Sequence, residues 1–468
     1  MPEGAEELAS ASRAYLVAPA GYGKTEALTW AAAVHSEGRQ LVLTHTHAGV
    51  KAVKDRLRGI GTPGGRVHVD TLAGFALRYA ASFPATSGLL TTEPTETDEW
   101  NAVYEAAIKV LGSRVGRTVL TESYRGVFVD EYQDCVLPQH ELVLTLAATL
   151  PCRIVLDPLQ GIFGFGAQSL VTVDEHLEPT FERLEDLTTP WRWLQQNPDL
   201  GEWLAEARQA LQMGQSIDLQ GAPVSQVEAT PASRIGTCLQ RANLAGSVVA
   251  IGQWPADCHS VASKLNGAFT CMEPIECPDL LKWAARIEES EGPARAAHIV
   301  DFSASCMTRV GSILRRARDS FRGQTLANVL GSPQTRSTIE ALNEVASDPT
   351  LTTVVRAMAA IEALPGRVLH RRELWREMER AIRGFDAGRR ATLAEAAWYI
   401  RDRGRHIGRR VEYRTVSRTL LVKGLEFDHA IILNGDAHDS RNLYVAMTRG
   451  ARSLTILSGG PIIQPQAS

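Results

Sequence analysis

Five consecutive residues, Gly21, Tyr22, Gly23, Lys24 and Thr25, join two bare backbone positions to a cation and a hydroxyl. Such a set suits a phosphate chain. The glycines let backbone N–H groups approach closely, Lys24 reaches the β- and γ-phosphates, and Thr25 holds Mg²⁺. Ala20 and Glu26 flank the set and complete the candidate nucleotide-binding residues. The usual loop of this kind begins with glycine, where Ala18 stands here. A second constellation is GVFVDEYQD (126–134), an apolar run ending in adjacent carboxylates. Asp130 is placed to bind Mg²⁺ and Glu131 to orient and deprotonate an attacking water. The bland alternative for the first set is a glycine-rich turn with a surface lysine; that for the second, a solvated acidic turn, explains neither the apolar run before it nor the earlier loop.

Both constellations need strands to carry them. Short apolar runs lie at AYLVA (14–18), QLVLTH (40–45), GVFVDE (126–131) and CRIVLD (152–157), with helix-like segments between them. That alternation predicts an α/β fold with a parallel sheet covered by helices. Further buried strands are expected at 246–254, 429–435 and 453–459. From about 276 to 410 the pattern is helical and arginine-rich, as in RVLHRRELWREMERAIRGFDAGRR. The polar stretch 83–100 reads as a surface loop opening a small helical insertion over about 80–120.

The chain has 468 residues, 44% hydrophobic and 22% charged, which is ordinary globular composition for several domains. A net charge of −4 gives no global basic field, so contacts to nucleic acid require a local concentration of basic residues. MPEGAEELAS is acidic and polar, and no apolar run approaches the ~20 residues of a bilayer span. A cytoplasmic protein without membrane partners is expected. The seven cysteines, an odd number, argue against a disulfide framework. Cys258, His259, Cys271 and Cys277 lack the tight spacing of a metal site and read as reduced structural positions.

DEYQD after a phosphate loop resembles motif II of the UvrD/Rep/PcrA group of superfamily 1 DNA helicases. The other motifs of that family have counterparts in order: LVLTHTHAGVKAVKDRL (41–57), VDTLAGFALR (69–78), LDPLQGIFGF (156–165), LTTPWRW (187–193), VKGLEFDHAIIL (422–433) and NLYVAMTRGARSL (442–454). The resemblance runs over about 14–195 and 410–460. It implies two RecA-like parallel-sheet domains with a P-loop NTPase core and helical insertions. The first is expected over 1–185 and the second over 186–275 and 410–468, with a reduced helical insertion at 276–409. ATP would sit between them.

Site roles follow from the same resemblance. Gln160 would sense the γ-phosphate, and Arg192 and Arg449 would neutralise the transferred phosphoryl group. Gly424 and Glu426 would lie near the phosphates and ribose. Phe165, with Phe163 nearby, would stack on a base, core packing being the alternative for Phe163. Thr46, His47 and Thr71 would contact strand phosphates. Several positions depart from the family: no glutamine precedes the loop, and Gly166, Gln253 and Leu420 replace two arginines and a histidine. They fall mainly on nucleic-acid contact and coupling. Two functions are therefore expected. One is an ATP- and Mg²⁺-dependent translocase on single-stranded or partly duplex DNA, moving 3′ to 5′. The other is a DNA-sensing ATPase that controls a partner nuclease, like the helicase-like component of Gabija-type anti-phage systems. The basic helical region suits phosphate contact and a solvated helix face equally, with docking onto an acidic protein partner as a third alternative.

Overall fold

The computed structural model describes residues 2–163, 169–274, 276–348, 350–386, 392–407 and 411–466. The apolar runs form the centre of a first sheet: β1 (Arg13–Val17), β2 (Gln40–Thr44), β4 (Gly126–Val129) and β5 (Cys152–Leu156). Each is buried almost throughout, as parallel strands covered on both faces must be. The more polar β3 (Val67–Thr71) and the two-residue β6 (Glu182–Arg183) take the edges. The order is β3-β2-β4-β5-β1-β6, all parallel.

A second parallel six-stranded sheet has the order β10-β11-β9-β12-β13-β8. Its strands are β8 (Ser225–Glu228), β9 (Val248–Gly252), β10 (Thr270–Cys271), β11 (Arg414–Arg418), β12 (Phe427–Ile432) and β13 (Gly450–Ser458). The small antiparallel pair β7 (Ile217–Asp218) and β14 (Ile462–Ile463) lies beside it. The fold is thus α/β with two parallel sheets and flanking helices.

Between β10 and β11 the chain forms helices from Pro278–Glu289 through Leu393–Ile407. They enclose their own apolar core, with Phe302 stacked on Trp375 at 5.5 Å between ring centroids. In the first sheet's lobe, Thr97–Gly112 packs on Leu72–Ser82, and Arg114–Ser123 follows. One core cluster runs through both lobes, taking in Leu16, Leu28 and Phe128 on one side and Val249, Ile432 and Tyr444 on the other, with Trp193 between. Among the described residues, no helix is long and apolar enough to cross a membrane.

Candidate active site

The chain leaves β1 through Ala18 and turns at Gly21 (φ 77°) and Gly23 (φ 84°) into the helix Lys24–Trp30. Left-handed backbone at both positions is the reason glycine stands there. The space is also taken. A β-carbon on Gly21 would lie 2.7 Å from the Trp193 ring and 2.9 Å from Arg192 Cβ; one on Gly23 would lie 3.2 Å from Trp191. The segment PWRW therefore lies directly over the loop. The Arg192 amide donates to the Gly21 carbonyl at 3.1 Å.

Lys24 is buried and pairs with Glu131 at 3.3 Å. The Thr25 hydroxyl donates to Asp130 Oδ2 at 3.0 Å. Glu131 has φ 56°, a strained position for a residue with a β-carbon, and its amide donates to Asp130 Oδ1 at 2.9 Å. Burial, then the neighbouring Glu131 charge, pushes Asp130 up to about 6. Burial opposes ionisation of Glu131 as well, but the Lys24 and Lys423 cations outweigh it and hold Glu131 at about 2. An ionised carboxylate beside a lysine, and a second carboxylate bonded to a threonine hydroxyl, form a donor set whose chemistry suits a metal–phosphate complex.

Two arginines, Arg192 of the segment between the sheets and Arg449 next to β13, add further cations. The Arg192 guanidinium donates to the Thr448 carbonyl at 2.6 Å and pairs with Glu426. Burial works against the Glu426 charge, and Arg192 more than compensates, keeping its pKa below the ordinary value. Arg449 is 1% exposed and donates to the Val445 carbonyl at 2.8 Å, the Leu425 carbonyl at 3.0 Å and Thr448 Oγ1 at 2.9 Å. Burial, then the nearby Arg192 charge, lowers its pKa to about 9. Gly424 has φ 77° and open space around its α-carbon.

Gln160 is 3% exposed and donates to Asp157 Oδ2 at 2.9 Å. Asp157 also pairs with Arg208 at 3.2 Å, and its amide donates to Gln133 Oε1 at 3.0 Å. Gln133 in turn donates to Glu131. Tyr444 closes the circuit from the other lobe, its hydroxyl accepting from the Ala20 amide at 3.0 Å. Tyr444, Asp157, Arg208, Trp191 and Lys423 join the site although no motif role pointed to them. All but Arg208 lie inside the motif segments, which was the available signal.

Other expected positions have local tasks. Glu26 accepts from Trp30 Nε1 at 2.9 Å and pairs with Arg56 at 3.4 Å. The Thr46 and Thr71 hydroxyls cap helices, accepting from Gly49 N at 3.0 Å and Gly74 N at 2.9 Å. Thr71 ends β3 and Thr46 lies just past the end of the neighbouring β2, with exposed His47 beside it. Phe163 carries Lys423 Nζ at 4.7 Å from its ring centroid. Phe165 lies outside the described residues. All seven cysteines are buried, and none of them forms a disulfide. His259, Cys271 and Glu273 lie within 4.8 Å of one another, but Arg371 already grips Glu273 at 2.7 and 2.6 Å. The cation there is a guanidinium.

No family model matches the chain, and no curated protein does. Among solved structures it is similar to the Pif1 helicase of Bacteroides in complex with ADP-AlF3 and ssDNA, at 10% identity and TM-score 0.30, over 56% of each chain. It is also similar to Pif1 of Candida albicans, at 14% identity and TM-score 0.29, over 51% of this chain and 52% of that one. Bacteroides Pif1 bound to ssDNA matches at 11% identity and TM-score 0.29, over 57% of each chain. The match spans little more than half the length of these helicases.

Proposed function

We propose that the protein is an ATP-hydrolysing motor of the UvrD-like superfamily 1 type that moves 3′ to 5′ along single-stranded DNA. The observation that carries this reading is the seam. Lys24 and Glu131 of one lobe lie under a segment whose Arg192 amide bonds Gly21 and whose guanidinium reaches Thr448 and Glu426 of the other. An opening and closing of that seam would shift one sheet against the other, which is what a translocating motor needs.

The residues fit the nucleotide and metal by their chemistry. Ala20, Gly21 and Gly23 would offer backbone to the phosphates, with Lys24 on the β- and γ-groups. Thr25 and Asp130 would hold Mg²⁺, which supplies charge neutralisation on the phosphate oxygens. Glu131 would take the proton of the attacking water, and Arg192 would leave Glu426 for the γ-phosphate. Arg449, fully engaged within its own lobe, would support the position of Thr448 and act through charge. Gln160 would report the γ-phosphate to Asp157. On the DNA side, Thr46, His47 and Thr71 would meet strand phosphates and Phe163 and Phe165 the bases.

The test is ATP hydrolysis by purified protein with and without single-stranded DNA. Stimulation is expected, and a rate indifferent to DNA sinks the motor. Lys24→Ala and Glu131→Gln should each lower turnover at least ~100-fold, with Glu131→Gln still binding nucleotide. The altered positions Gly166, Gln253 and Leu420 favour one further reading: a DNA-sensing ATPase that licenses a nuclease in trans. DNA-stimulated hydrolysis without unwinding, together with binding of a nuclease, selects it.

A further inference from the structure

Behind the first sheet, at the amino ends of its strands, lies a cavity of about 600 Å³. Its wall includes His35, Ser36, Gln40, Arg125 and Arg153. This is the edge opposite the phosphate loop, since parallel strands present their carboxyl ends to that loop. A cavity of this volume falls within the ~300–1,000 Å³ of small-molecule sites.

Three buried polar atoms of the wall have no hydrogen-bond partner among the described residues: His35 Nε2, Ser36 Oγ and Gln40 Oε1. Gln40 is 1% exposed and Ser36 7%, so these are desolvated groups awaiting a partner. Arg153 is also buried. It donates from Nε to the Ala11 carbonyl and from Nη2 to the Ala9 carbonyl, each at 2.6 Å. Its Nη1 is aimed elsewhere. A β-carbon on Gly126 would lie 2.6 Å from Arg153 Nη1 and 2.5 Å from Gln40 Oε1, so both atoms face the small volume that this glycine leaves open.

The chemistry of these atoms defines the guest. Arg153 Nη1 and the Ser36 hydroxyl offer protons to an oxyanion, while Arg125, also on the wall, already donates from Nη1 to the Thr121 carbonyl. Gln40 Oε1 needs a donor in return. His35 Nδ1 lies 3.9 Å from Glu6 Oε1, and its Nε2 donates or accepts according to the tautomer. A carboxylate gives oxygens but no proton. A monoprotonated phosphate group gives both, and guanidinium groups bind phosphate oxygens well. The exposed Glu37 carboxylate, also on the wall, disfavours a highly charged guest. The cavity is larger than one phosphate, leaving room for an ester substituent. His35 also ends the helical segment that begins at Lys24, whose last turn, Ala31–His35, is π-helical, a distortion common at functional sites.

We propose that this rear cavity binds the phosphate group of a small molecule, distinct from the nucleotide at the front of the sheet. The test uses full-length protein carrying Lys24→Ala, which disables the competing front loop. It is titrated with inorganic phosphate and, separately, with glycerol 3-phosphate, and followed by calorimetry and ³¹P line broadening. Saturable binding is expected, tighter for the ester. Ser36→Ala removes a hydroxyl that bonds nothing in the fold, so its melting temperature should be unchanged while affinity falls about tenfold. Gly126→Ala, which fills the cradle, should abolish binding. Equal affinity for both ligands would assign the site to free phosphate. No saturable binding of either, or affinity unchanged in both variants, overturns the proposal.

Discussion

Lys423 Nζ lies 2.6 Å from Asp134 Oδ1, a lysine of one lobe bonded to a carboxylate of the other. The same ammonium donates to the Gln160 carbonyl and faces the Phe163 ring. Burial pushes Asp134 up to about 7 and lowers Lys423 below the ordinary amine value. Each partner is therefore shifted toward its neutral form, and each depends on the other to stay charged.

Lys423→Met should accordingly cost about 3 kcal/mol, because it leaves Asp134 buried and unpaired. Adding Asp134→Asn should recover part of that loss, giving a coupling of at least ~1 kcal/mol in a double-mutant cycle read by urea denaturation. Strictly additive losses would mean that the contact contributes no bond energy.

Gly21 and Gly214 separate strain from crowding. Both have left-handed backbone, φ 77° and φ 67°, but only Gly21 has atoms within 4 Å of a built β-carbon. Gly214→Ala should cost about 1 kcal/mol from backbone alone. Gly21→Ala should cost more and stop nucleotide turnover, because the Trp193 ring must move. Thermal melting paired with an ATPase assay checks both.

Trp191 is half exposed, with its ring 3.2 Å from a β-carbon built on Gly23. A large ring open to solvent beside this turn offers a face for stacking, and under the proposed ATP-binding function its partner is the nucleobase. Trp191→Ala should raise KM for ATP about tenfold with kcat within about twofold, and Trp191→Phe should keep most of the affinity. Steady-state kinetics of the three proteins decide it.

His370 gives a pH signature. Burial, then the Arg371 charge, holds its pKa down at about 4, with His259 and Glu273 also facing it. The unfolded chain binds a proton near pH 6.5 that the folded chain refuses. Stability from this site is therefore complete above about pH 6.5 and is lost as pH falls toward 4, at up to about 1.4 kcal/mol per unit. His370→Gln should reduce that slope in urea titrations across the same window, and an unchanged slope would contradict the assignment.

The sheets were legible where strands are apolar on both faces. All the apolar runs of both lobes became strands, because only covered parallel strands tolerate such composition. β3, β6, β8 and β10 gave little signal, being short or polar at edges. β11 gave little signal for another reason. It is interior, yet Arg414 begins it, donating to the Ala242 carbonyl at 2.7 Å and also to the Leu244 and Gly246 carbonyls. An arginine satisfied by main-chain oxygens mimics a surface residue in sequence. Lys24, Thr25, Asp130 and Glu131 were readable as local motifs. The bridge from Lys423 to Asp134 was not, because the two are far apart in the chain and neither motif announces a partner.

Trp193 has a wider consequence. Its ring rests on Gly21 of the first lobe while its indole N–H donates to the Gly450 carbonyl of the second at 2.9 Å. Dissection of the chain into halves would therefore strip the phosphate loop of its lid and leave an orphan carbonyl at the start of β13. A recombinant fragment ending at β6 is a poor surrogate for nucleotide-binding studies; the smallest faithful unit is the one in which the two halves remain tethered.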